Sequence, residues 1–126
     1  MAKIHIYQGD VNPAVFSGLR AEISFSEERC DSGAPNLKLF AAEEAKKGLE
    51  QLKRWVSTGA FKVIAINGLS EALEKGNKAH LLEWIQDHST EPDFPSLILL
   101  GEKNNKVDGL FCDVVDADGV KKILNA

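Results

Sequence analysis

Cysteine is scarce in this chain, with two residues, Cys30 and Cys112, among 126. Two thiols are too few for a disulfide scaffold and fit a reducing compartment. Long apolar runs are missing as well. None reaches the roughly 18 residues of a membrane span, and the N-terminus carries no apolar signal region, so the expectation is a cytoplasmic protein without a membrane partner. Cationic charge is nowhere concentrated. Fifteen Lys and Arg stand against 19 Asp and Glu, giving a net charge of −4 and a pI near 5.4. No basic stripe is available for a phosphate backbone, which argues against a nucleic-acid partner. Glu102, Asp108, Asp113, Asp116 and Asp118 are too dispersed to imitate DNA. Internal repeats, low-complexity tracts and linkers are absent, so residues 1–126 read as one domain.

What the chain does contain is short apolar runs separated by helical spacing. Phe94-Pro95-Ser96-Leu97-Ile98-Leu99-Leu100-Gly101 opens on a proline and closes on a glycine. An unbroken run of this length predicts a strand buried on both faces, and a proline is tolerated at its first residue. Phe61–Ile66 predicts a second central strand. Lys3–Tyr7 alternates and predicts a strand, as does Ala21–Ser26 with Ile23 and Phe25 inward. Asn12-Pro13 predicts a cap and a short helix over Ala14–Leu19. Ala42, Ala45, Leu49, Leu52 and Val56 recur at helical spacing up to a capping Gly59. Gly48 interrupts that helix, a position suited to close packing on the sheet. Ser70 predicts a helix start, with helicity to His88 broken near Gly76-Asn77. Glu27–Lys38 reads as a polar loop, Leu110–Val115 as a strand, and Asp116 or Asp118 as the cap of a last helix.

The expected order is strand, helix, strand, helix, strand, helix, strand, strand, helix. Helical crossovers between buried strands imply parallel pairing, and the short polar turn between the last two strands implies an antiparallel hairpin. The fold class expected is therefore α/β, with a central mixed β-sheet flanked by helices on both faces. That order resembles the thioredoxin-like fold superfamily. Phe25-Ser-Glu-Glu-Arg-Cys30 is similar to the family's approach to its nucleophilic cysteine. Phe94-Pro95 resembles its cis-proline strand opening, and Asp118–Leu124 resembles its closing helix. The family's Cys-x-x-Cys is replaced by Cys30-Asp31-Ser32-Gly33, Arg29 stands where tryptophan is usual, and Ser24 stands where a buried aspartate is usual.

The resemblance implies a degenerate, single-thiol motif. A mixed disulfide needs a second thiol for release, and Gly33 removes it. The favoured reading is a non-catalytic module that binds a protein or peptide through Arg29, Gly33, Phe94, Pro95, Asn67 and Ser70. The alternative is a glutathione-linked oxidoreductase with Cys30 as the catalytic nucleophile. A weaker alternative is a small nucleotide at the Asn67–Ser70 turn, between a strand and a helix N-terminus, though without the glycine density of a phosphate loop. His80, Glu83 and Asp87 share a helical face but lack a further ligand, so no metal is expected, and no cofactor is called for. Cys112 reads as a small packed hydrophobe. Trp55 and Trp84 read as core residues, and a homodimer through a helix face or an edge strand is compatible with the pattern.

Overall fold

The computed structural model describes residues 3–26, 32–76 and 78–126, with the backbone alone at 78 and 79. Arg29 and Cys30 lie outside the described residues. Six strands, β1 (Ile4–Tyr7), β2 (Ala21–Ser24), β3 (Asn36–Leu39), β4 (Val63–Asn67), β5 (Ser96–Leu100) and β6 (Asp113–Val115), form one sheet in the order β3-β2-β4-β5-β1-β6. All five pairings among the described residues are parallel. The helices are α1 (Ala45–Thr58), entered through a 3-10 turn at Ala42–Glu44, then α2 (Leu69–Lys75), α3 (Lys78–His88) and α4 (Ala117–Leu124). No helix among the described residues is long and apolar enough to cross a membrane.

The α/β class with helices on both faces is thus observed, but the sheet is not mixed. The expected hairpin of the last two strands does not form, because β6 pairs with β1 and not with β5. The connection from β5 passes beyond β1 without a helix, and Val107 and Leu110 pack on the core where a crossover helix would sit. A sheet with parallel pairings only is not typical of the thioredoxin fold. The Phe94–Pro95 bond is trans, since no cis peptide bond occurs among the described residues.

Strand alternation divides the interior in two. Ile4, Ile6, Ile23, Ile66, Leu97 and Leu99 point to the side covered by α1, α2 and α3. Tyr7, Ala65, Ile98 and Leu100 point to the other, covered by Phe16, Leu19 and Val120 of α4. Continuous apolar sequence in β4 and β5 is what a strand covered on both faces requires. The Gly48 expectation is borne out: a Cβ there would run into the Phe25 ring. Gly59 takes the left-handed conformation at the α1 C-terminus, and Asp116 caps α4 by accepting from the Gly119 amide at 2.8 Å.

Two segments depart from expectation. Residues 13–18 are turns, not a helix, although the Asn12 side chain does accept from the Ala14 and Val15 amides. The cap is present, but Gly18 at φ 97° ends the segment within one or two turns, too short for a helix to sustain itself. Conversely Asn36–Leu39, three residues of which fall in the expected Glu27–Lys38 loop, is an exposed outer strand paired with β2.

His5 on β1 lies between Ile98 and Asp113 in register, and its Nδ1 is enclosed without a partner among the described residues. Burial pushes the imidazole below its ordinary 6.5, outweighing the opposing pull of Asp113. A histidine held neutral by the fold stabilises fully above pH 6.5 and loses that contribution as the unfolded chain protonates below it. Urea midpoints should therefore fall more steeply for the wild type than for His5→Gln between about pH 8 and about pH 5. Parallel profiles for the two proteins would show that His5 does not titrate differently on folding.

Candidate functional site

In an open parallel sheet, ligands gather where neighbouring strands send their connections away from each other. That point lies between β2 and β4. The chain leaves β2 toward β3 and leaves β4 toward β5, and right-handed crossovers place such connections on opposite faces. The side chains agree. Helices α1 to α3 pack on one face, while Ala34, from the β2–β3 connection, packs on the other.

A cleft of about 650 Å³ opens there, at the carboxyl ends of β2, β4 and β5. This is within the range of small-ligand sites. Phe25, Ser26, Gly68 and Gly101 line its base, and Ala41–Glu43, Glu71, Glu74, Lys75 and Lys103 line its sides. The strand ends are laced together by main-chain bonds. The Phe25 amide donates to Asn67 O at 2.8 Å, and the Gly68 amide donates to Leu100 O at 3.0 Å. Below them, buried Asn67 donates through Nδ2 to Ser24 Oγ at 3.0 Å, and Ser24 Oγ donates to Ser26 O at 3.3 Å. Gly68 and Gly101 both take left-handed backbone, φ 79° and 71°. A Cβ on Gly101 would lie 2.5 Å from Asn67 Oδ1. A side chain at that position cannot be accommodated without moving the asparagine.

Glu102 fixes the chemistry of the cleft. It is buried, its carboxylate accepts from the Ser70 hydroxyl, and it accepts from the Ser70 amide at 3.3 Å. Its own carbonyl accepts from Gln8 Nε2 at 3.2 Å, which ties the β5 loop to the end of β1. Ser70 does not cap α2, because Gly68 occupies the N-cap position. The donors an incoming phosphate would use are already committed to a carboxylate. Among the described residues of the cleft, four carboxylates, Glu43, Glu71, Glu74 and Glu102, face two lysines, Lys75 and Lys103. Lys75 pairs with Glu71 at 3.3 Å. The surplus charge of the cleft is negative.

Of the residues singled out from sequence, Ser70 lines this cleft and Asn67 lies buried beneath it. Phe94 and Pro95 do neither. They precede β5, roughly 15 Å along the strand from its carboxyl end, and Phe94 packs against Trp84. Gly33 sits against Pro13 on the sheet face opposite α1 to α3. Cys112 is half-buried, and burial pushes its thiol up, as expected for a packing residue. His80, Glu83 and Asp87 line a groove with Lys46, Glu50 and Lys53 of α1. Among the described residues no three His, Cys, Asp or Glu side chains converge as a metal site. Glu71 and Glu74 carry no signal in the sequence, and Glu102 reads there as one of a dispersed acidic set. A lone Glu after Gly101 has no local signature, and its partner Ser70 is 32 positions away. The pairing of Gly101 with a preceding buried strand was the available signal.

No protein-family model, curated protein or solved structure matches the chain.

Proposed function

We propose that the chain is a non-catalytic binding module that takes a basic side chain of a protein or peptide, lysine or arginine, into the cleft between β2 and β4. The observation that carries this reading is the state of Ser70, whose amide and hydroxyl are both held by Glu102 inside a cleft of surplus negative charge. A phosphate would have to displace a buried carboxylate and then sit beside three more. An ammonium or guanidinium group would instead gain carboxylate partners and main-chain acceptors. The nucleotide reading of the Asn67–Ser70 turn is disfavoured by the same argument. The reading requires no role for Cys30 and does not depend on a thioredoxin-like arrangement.

Fluorescence anisotropy with short labelled peptides that differ in one central residue (Lys, Arg, Gln or Glu) tests it. Lysine and arginine peptides should bind, Gln and Glu peptides should not, and added salt should weaken binding because the carboxylates are partly solvated. Glu74 is exposed and Glu71 lies in an exposed pair, so E71Q/E74Q should fold normally. Losing two such charges should weaken binding by up to about tenfold. Equal binding of acidic and basic peptides, or no change in the double variant, would overturn the proposal.

A further inference from the structure

Among the described residues the sheet ends in two unlike open edges, β3 on one side and β6 on the other. On β3 the Asn36 amide donates to Arg20 O and the Phe40 amide to Ser24 O. Alternation therefore turns the amides and carbonyls of Leu37 and Leu39 away from β2. On the other side, the Leu97 amide donates to Lys3 O, so Lys3 addresses β5 and Ile4 and Ile6 address β6. Val114 is the register partner of Ile6. In a parallel pair the partner of an inward-facing residue faces outward, so Val114 presents its own amide and carbonyl to solvent.

The side chains on these edges are exposed apolar ones, Leu37 at 40%, Leu39 at 50%, Val114 at 54% and Phe111 at 80%. Each edge also carries one exposed charge of opposite sign, Lys38 on β3 and Asp113 on β6. Lys38 shares its sheet face with Ile23, whereas Leu37 and Leu39 share theirs with Glu22 and Ser24. Asp113 shares its face with His5, whereas Val114 shares its face with Ile6.

We infer that β3 of one copy adds to β6 of a second copy, antiparallel, with Lys38 opposite the second copy's Asp113. A half-turn about an axis in the sheet plane, perpendicular to the strands, reverses both strand direction and sheet face. It brings Asp113 to the Lys38 side and Val114 to the leucine side. In this register Leu37 lies opposite Val114, and the outward amides and carbonyls of the two residues exchange hydrogen bonds. Lys38 and Asp113 form the adjacent pair that makes no main-chain bond, where side chains approach most closely. Phe40 lies opposite Phe111. The two-fold alternative, β3 on β3, places Lys38 directly opposite itself when Leu37 and Leu39 pair. Because the contact joins two different edges, a joined pair still has one β3 edge and one β6 edge free, and the assembly grows as an open chain.

Sedimentation velocity over a hundredfold concentration range reads this directly. Wild type should progress through a ladder of oligomers. K38E and D113K alone should each weaken association by about tenfold or more, since both place like charges opposite each other. The double variant K38E/D113K should recover it. An equimolar mixture of the two single variants should also recover it, because every contact between unlike copies is again a pair of opposite charges. Both positions of the charge swap are solvent-facing, and circular dichroism checks that the variants fold. A wild type that stays monomeric, a closed dimer indifferent to D113K, or a mixture no more associated than its components would each overturn the inference.

Discussion

Leu99→Ala is expected to destabilise the protein by about 2–5 kcal/mol, the range for deleting a fully buried leucine from a close-packed interior. Leu99 has no exposed surface and lies on β5, with β4 on one side and β1 on the other. Its register partners there are Ile66 and Ile6. Strands hydrogen-bonded on both sides cannot shift to fill the hole, so the cavity term adds to the lost transfer energy. Against a total of about 5–15 kcal/mol for a domain of ordinary stability, this is a large fraction. Chemical denaturation with a two-state fit measures it. Leu39→Ala, at the half-exposed outer strand, provides the contrast: as a monomer it should change stability by less than about 0.5 kcal/mol. A similar loss at both positions would mean that the sheet is not covered as described.

The same contrast explains which elements were legible in the sequence. Val63–Asn67 and Ser96–Leu100 were readable because burial on both faces demands uninterrupted apolar residues, and no other short element does. Helix α1 was readable from one apolar stripe and its terminal glycine. Asn36–Leu39 was not, because it is paid for by the β2 backbone and not by its side chains, all four of which are exposed. A strand held by its neighbour's main chain leaves no apolar periodicity to read. The placement of β6 failed for a related reason. Lys103–Gly109 reads as a short turn before a strand at Leu110, but β6 begins only at Asp113, so the connection is twelve residues (101–112), enough for a crossover. Nothing local in it says that Val107 and Leu110 will pack in place of a helix while the chain passes β1.

The cleft was half legible. The Asn67-Gly68 break after a buried strand marks a loop at a sheet end, and its location at the point of reversal follows only from strand order. The order depends on where β1 inserts, between β5 and β6, and that is a long-range outcome. Pro95 and Asn67 looked like parts of one surface because a turn residue says nothing about which end of the sheet it occupies. Once β4 and β5 are known to run parallel, the two must be at opposite ends, since Asn67 ends its strand and Pro95 precedes its own.

The second large effect is expected from Gly101→Ala, on stability and on the cleft together. At φ 71° an alanine pays roughly 1–2 kcal/mol for the left-handed backbone alone. Its Cβ would also lie 2.5 Å from Asn67 Oδ1, and Asn67 is buried and bonded to Ser24. Moving the asparagine breaks a buried hydrogen bond, which adds about 1–3 kcal/mol because the groups left behind are out of reach of water. Together these give an expected loss of about 2–5 kcal/mol. Gly18→Ala separates the two contributions. Gly18 has the same kind of backbone at φ 97° but open space around it, so only the conformational cost applies. Denaturation of both variants should rank Gly101→Ala well below Gly18→Ala, and only Gly101→Ala should lose affinity for a basic peptide. That second difference follows from where Asn67 sits: it joins the ends of β4 and β2, and Gly101 follows the end of β5. Displacing it shifts three edges of the cleft at once, whereas the turn at Gly18 can adjust without reaching any of them. Equal losses at the two glycines would remove the asparagine from the argument and leave backbone strain alone.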